Sequence, residues 1–262
     1  MAGDLVISTI NGQAIGTKNV IINGNFNVNQ RGVSGTVTLA AGAYGHDRWK
    51  GGASGCTYTF ATVENVTTLT ISAGSLIQVV EGLNLQSGTY TLSFSGTAQG
   101  KIGAGSFAAS GVTGAAVGGT NLNIEFNTGT LSLVQLEKGS TATSFDYRPY
   151  GTELALCQRY CYNASLTAAG DFGVGVCTSS GAQVYVSYPV TMRSAPTVTF
   201  ATAGNFVIAD GVAGYTVTST GTTNITTNQT TVNMGASGTT TGKGALLRWG
   251  AGTAFILSSA EL

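Results

Sequence analysis

Read for the alternation of apolar and polar positions, the chain is a succession of short strands separated by turn residues. A strand start at Val20–Ile22 is followed by alternating or short apolar runs over Ser34–Leu39, Cys56–Val63, Thr67–Ile71, Leu76–Val80, Thr89–Ser95, Leu122–Phe126 and Leu131–Leu136. About eight short strands with turn signals between them predict a two-sheet sandwich or jelly roll. A second series covers Asp171–Cys177, Gln183–Val190, Thr197–Thr202, Asn205–Ala209, Tyr215–Ser219, Thr230–Met234, Leu246–Trp249 and Phe255–Leu257. Between the two series lies the one helical pattern of the chain. Thr152 is placed to cap it and Glu153 falls in its first turn, while Leu154, Leu156, Cys157, Tyr160 and Cys161 form a mixed apolar face. The expected fold is therefore all-β: a jelly-roll sandwich over residues 19–149, a short helical linker over 150–162, and a second small β-domain over 163–262. Residues 1–18 carry a single apolar patch, Leu5-Val6-Ile7, too small to form a core, and read as an arm.

Composition sharpens this picture. Only 8% of the 262 residues are charged, the formal net charge is zero, and glycine fills 39 positions, a balance that suits strands and turns rather than exposed helices. Eleven Lys and Arg make no basic stripe, so nucleic acid is not an expected partner. No run of 18 apolar residues predicts a membrane span, and the first residues lack the basic-then-apolar order of a signal peptide, so assembly in a cytoplasm is expected. Strand edges with so few charges should associate, which predicts an oligomer. Cys157 and Cys161 are four apart on one helix face, not in a zinc-ribbon turn, and with His46 as the sole imidazole the four cysteines read as buried thiols. The glycine-rich passage Gly96–Gly119 lacks a phosphate-loop motif and reads as a long loop with one short strand. The Thr/Asn/Gly tract over 217–243 reads as a long exposed edge or a loop, with chemistry that suits uncharged sugar contacts but does not demand them.

Candidate chemistry is sparse. Tyr44, His46, Asp47 and Trp49 stand together in Tyr44-Gly45-His46-Asp47-Arg48-Trp49, where an aromatic face and hydrogen-bonding groups can hold a pyranose. The other reading makes Trp49 a core anchor and Asp47-Arg48 the pin of a loop. A serine triad has neither an elbow motif nor a separate acid for His46. The carboxylates are scattered; Glu125 and Glu137 could approach across neighbouring strands, but Glu125 fits a solvated face better, so no enzyme is expected. Arg148, Glu153 and Arg159, with Tyr160, cluster at the joint and are expected to hold domains or subunits in register.

The joint also carries a resemblance. VQLEKGSTATSFDYRPYGTELALCQRYCY, with NVIINGNFNVNQRG and YPVTMRSAPTVTF, resembles the distal part of phage and prophage tail-fibre or virion-appendage proteins, over roughly residues 19–200. In that family a jelly-roll domain similar to carbohydrate-binding modules precedes a second small β-domain. The resemblance implies a homotrimer in a virion, attached to other virion proteins through the arm and touching host-surface glycan, on a tail or a head fibre. A purely architectural decoration protein and a glycan-hydrolysing tailspike are the alternatives. It also implies a place for one structural Ca²⁺, drawing on Asn25, Glu137 and Asp146, although about six to eight oxygen ligands are needed; the primary expectation is no cofactor and no metal.

Overall fold

The computed structural model describes residues 18–262, together with the backbone of a small antiparallel ladder, β1 (Thr9–Ile10) with β2 (Gln13–Ala14). Apart from this ladder and Lys18, the expected arm over residues 1–18 lies outside the described residues. The chain is all-β, with antiparallel sheets and, among the described residues, one α-helix. It divides into two compact units, Met1–Leu154 with Leu262, and Ala155–Glu261.

The first unit contains β3 (Val37–Leu39), β4 (Trp49–Val63), β5 (Val66–Val80), β6 (Gly88–Ser95), β7 (Gly100–Ile102), β8 (Val112–Ala116), β9 (Leu122–Phe126) and β10 (Gly129–Lys138). β4 and β5 form a long hairpin whose two-residue turn, Glu64-Asn65, has φ of +49° and +62°. Positive φ at both turn positions matches the right-handed twist of the flanking strands. The separate strands expected at Thr67–Ile71 and Leu76–Val80 are one strand. A bulge carries the hairpin past Ala73–Ser75, where Gly55 (φ +76°) faces Gly74 (φ +70°) and a Cβ on Gly74 would collide with the Gly55 carbonyl. Only glycine fits both the conformation and the approach.

Beyond the bulge β5 changes partner. Its first half pairs with β10 through Leu69↔Leu131, its second half with β9 through Leu76↔Phe126. β10 turns a corner as well. Its first three residues pair with β5, and from Ser132↔Ser95 onward it pairs with β6, with a bulge at Leu133 (φ +50°) before Gln135–Lys138 continue that ladder. Strands that pass from one sheet to another through a bulge close the layers of a sandwich around one core. That core holds Tyr58, Leu69, Ile71, Leu76, Leu92, Phe126, Leu131, Val134 and Leu136, each leucine contributing about 1.5–3 kcal/mol by leaving water. The glycine-rich passage contributes two strands, β7 and β8, where one was expected. Gly100 lies under Phe126, Leu92 and Phe94, so its missing side chain is the space their side chains occupy.

The helix α1 (Tyr150–Gln158) starts two residues before the expected cap. The Pro149 carbonyl accepts from the backbone N–H groups of Thr152 and Glu153, at 2.9 and 3.1 Å, so the chain enters the helix at Pro149 and Thr152 is already inside it. α1 also ends earlier than expected. The Tyr160 N–H closes a turn on the Cys157 carbonyl, and Cys161 pairs with Ser259 at the start of a strand.

The second unit comprises β11 (Cys161–Leu166), β12 (Asp171–Thr178), β13 (Gly181–Ser187), β14 (Thr197–Phe200), β15 (Phe206–Ala209), β16 (Gly214–Thr216), β17 (Ser219–Thr223), β18 (Gln229–Gly235), β19 (Gly244–Trp249) and β20 (Ala254–Ser259). A three-stranded sheet runs β11-β20-β14 and a seven-stranded one β16-β15-β19-β12-β13-β18-β17. Val184, Val186, Phe206, Ile208, Val232, Met234, Leu247 and Ile256 belong to its core. The Thr/Asn tract supplies β17, an edge strand, and β18 inside it. All four cysteines are buried.

Gly74→Ala should lower unfolding free energy by about 2 kcal/mol or more, since it adds a collision to a left-handed backbone. Gly111→Ala, at φ +94° but with open space around it, should cost about 1 kcal/mol. Urea unfolding of the two variants checks the difference.

Candidate binding groove beside a buried polar hub

The segment Asn19–Val28 was expected to begin as a strand, yet it forms no regular element. Its apolar residues Ile21, Phe26 and Val28 are buried, so its backbone groups need partners inside the protein. The Val20 N–H and the Gly24 carbonyl bond to the backbone of β10, and side chains of the segment and of distant parts of the chain provide most of the rest. Gln78 on β5 accepts from the Ile22 N–H at 2.9 Å and donates to the Ile22 carbonyl at 2.7 Å. The Asn23 amide donates to the carbonyls of Val28 (2.8 Å) and Asp47 (3.1 Å) and accepts from the Val28 N–H (2.9 Å). The Trp49 indole donates to the Asn23 carbonyl at 3.0 Å. Asn19 donates to the Val134 carbonyl and accepts from the Leu136 N–H, tying the segment to β10.

Arg148 and Glu153 complete this hub. Their side chains are 7% and 9% exposed and meet at 3.0 Å. Arg148 also donates to the Ile21 and Asn19 carbonyls, and Glu153 accepts from the Asn23 N–H. A buried ion pair is tolerable only when its remaining donors and acceptors are satisfied, and here the irregular segment does most of that work. Arg148 Nε is the exception: it is buried without an acceptor. The roles expected of Arg148 and Glu153 in subunit or domain contacts therefore change, because both side chains are spent inside the first unit. Tyr160 is buried in the second unit, where its carbonyl accepts from Ala260, and Arg159 lies over its ring with its own carbonyl accepting from the Arg193 N–H.

The residues first expected to bind sugar also belong to the interior. Trp49 and Asp47 are 0% exposed and His46 is 1% exposed. Trp49 packs on Phe26 and Phe126, and Asp47 accepts from the Gln30 backbone and side chain at 2.6 and 2.7 Å. His46 contacts the Tyr58 hydroxyl at 2.9 Å and the edge of Phe60, and burial lowers its pKa to about 4. Tyr44 is half-buried, with its hydroxyl donating to the Leu262 carbonyl and Arg31 over its ring. No pyranose can reach the Trp49 face in this packing. Of the two readings of this stretch, burial supports the anchor.

The carboxylates of the expected calcium place are committed to protein donors, and Gln135 bonds both Glu137 and the Asp146 N–H. Glu137 accepts from Gln135 and from the backbone and hydroxyl of Thr143, Asp146 accepts from the Lys18 N–H at 3.1 Å, and Asn25 lines a separate surface groove. Among the described residues no cluster of three His, Cys, Asp or Glu could hold a metal. Glu125 and Glu137 sit on β9 and β10, which are not neighbours, and Glu125 is held by Lys101 at 2.8 Å and Ser75 at 2.6 Å.

What the fold does assemble is that groove, about 590 Å³ in volume, with the Arg148–Glu153 pair in its wall. Tyr147 and Tyr150, each 60% exposed, line it together with Asn25, Asn27, Thr62, Glu64, Asn65 and Thr67. Tyr147 is oriented by edge contact with Phe145 at 4.8 Å between ring centroids. Asn27 is fixed by the Asn65 carbonyl and the Thr67 hydroxyl, which in turn meets Thr62 at 2.8 Å. No family model, curated protein or solved structure matches the chain. The groove's chemistry therefore has to be read from its own residues. Two exposed aromatic faces beside amides and hydroxyls suit a ligand with both C–H faces and hydroxyls. The sequence held one signal for it, the aromatic pair in Tyr147-Arg148-Pro149-Tyr150, which was read as part of a joint.

Glu153→Gln should cost about 3–5 kcal/mol in urea unfolding by leaving the buried Arg148 charge uncompensated, and the pair Arg148→Met with Glu153→Leu should cost less than the two single changes summed. His46 is neutral when folded and its pKa lies below the ordinary 6.5, so its contribution to stability is complete above about pH 6.5 and is lost as pH falls toward 4. The loss amounts to about 3 kcal/mol, and His46→Gln should remove that part of the slope when stability is measured from pH 7 to pH 4.

Proposed function

We propose that this protein is a structural appendage subunit of a virion that attaches to host-surface glycan, and that the groove lined by Tyr147 and Tyr150 is the binding site. The single observation behind the binding role is that groove: two largely exposed tyrosines stand beside polar side chains mounted on a hydrogen-bonded hub. Large aromatic rings left in water beside aligned hydrogen-bonding groups suit recognition better than folding, because burial would have stabilised them in a core. The virion setting is supported by the resemblance of the Val134–Tyr162, Asn19–Gly32 and Tyr188–Phe200 blocks to appendage proteins.

On this reading the first unit is a jelly roll of the carbohydrate-binding type and the helical passage links it to the C-terminal β-domain. The chain forms a homotrimer, and the N-terminal arm holds other virion proteins. One shallow groove binds a sugar weakly, and three copies on one particle appendage, repeated over the particle, multiply that affinity. An assembly without sugar affinity is the architectural alternative, and glycan-array binding separates the two.

On a glycan array wild-type protein should bind, and Tyr147→Ala or Tyr150→Ala should each weaken the interaction about tenfold or more while leaving the unfolding midpoint nearly unchanged. An intact protein that binds no glycan favours the architectural reading. Light scattering should return three times the 26.4 kDa chain mass, and a monomer would sink the trimer.

A further inference from the structure

We infer that the groove selects glycans by charge, favouring sugars that carry a free amine and rejecting carboxylated, sulfated or phosphorylated ones, with Glu64 as the deciding residue. The inference rests on the glycan-binding reading above. Among the described lining residues the only charged side chains are Glu64, Arg148 and Glu153. Arg148 and Glu153 neutralise each other at 3.0 Å, and the remaining Arg148 bonds go to backbone carbonyls. Glu64 is exposed at the rim and makes no hydrogen bond or ion pair with the described residues. Among the described residues the groove therefore presents one uncompensated carboxylate to its ligand. Beside it, the side chains of Asn25 and Asn65 are likewise uncommitted among the described residues, free to take up neighbouring hydroxyls.

The backbone adds an independent observation. Glu64 occupies the first central position of the β4–β5 turn at φ +49°. That conformation suits glycine, asparagine or aspartate, and a glutamate there gives up turn stability that those residues would keep. Locally costly residues concentrate where a ligand is held. The second central residue, Asn65, is the type the turn prefers. The cost is confined to the position whose carboxylate reaches the groove.

The test compares matched oligosaccharides: glucosamine oligomers, their N-acetylated counterparts, and oligogalacturonate. Wild-type protein should bind the amine form about two- to fivefold more tightly than the N-acetylated form, and the acidic oligomer most weakly, with the preference shrinking as salt is added. Glu64→Gln should erase the difference between amine and N-acetylated forms. Glu64→Asn should do the same while raising the unfolding midpoint, a combination that a merely structural role for Glu64 would not produce. Acidic oligomers ranking first, or an unchanged ranking in Glu64→Gln, would overturn the inference. So would wild-type protein that binds neutral glycans on the array without preferring amine-bearing ones, and that outcome leaves the glycan-binding reading standing. Absence of binding to every glycan overturns both.

Discussion

The first unit depends on a buried ion pair that satisfies an irregular stretch of backbone. Arg148 and Glu153 meet at 3.0 Å with almost no exposure, and together they bond the backbone at Asn19, Ile21 and Asn23. Neither half is stable alone. The segment buries Ile21, Phe26 and Val28 without a ladder to take its N–H and C=O groups, and the ion pair buries two charges that need those groups. Each supplies what the other lacks, and Asn23 and Gln78 close the remaining gaps.

That arrangement makes the groove rigid where it matters. Tyr147 directly precedes Arg148 and Tyr150 lies between Arg148 and Glu153 in the sequence, so fixing the ion pair also limits where the two rings can stand. The opposite wall is mounted on the β4–β5 hairpin, whose tight turn and Thr62–Thr67–Asn27 hydrogen bonds set Asn27 and Asn65. Binding to a wall that is already ordered loses less entropy than binding to a loop that must order, which lets a shallow surface hold a small polar ligand.

Sequence patterning located most strands of both units because burial on one face imposes a two-residue period that survives in any context. It erred where a local signal was outweighed by a distant partner. Val20–Ile22 has the residues of a strand, but apart from the Val20 N–H on the Leu136 carbonyl its bonding partners are side chains of Gln78, Asn19 and Arg148. Gly74 divides β5 in the pattern, yet Gly55 across the ladder absorbs the interruption as a bulge. Cys161–Leu166 continues an apolar face after the helix, and its pairing with β20 makes it a strand. The aromatic and charged cluster at Tyr44–Trp49 was visible, but not that a core would close over Trp49.

By itself the sequence determined an all-β chain poor in charge, with its helical passage near Glu153, its ionic residues scattered and a few motifs rich in aromatic and polar groups. Composition and period act locally, so they are legible one segment at a time. Only the tertiary structure decided which of those motifs face inward and which face water. Asn23 and Glu153 are 130 residues apart and share one hydrogen bond, while Glu64 and Tyr147 come from different elements and share one groove. Such partnerships depend on how strands cross and bend, and no local pattern encodes them. The same chemistry that made Trp49 look like a binding face and Arg148 an interface residue is, once the chain has closed, the interior support for a groove formed by their neighbours.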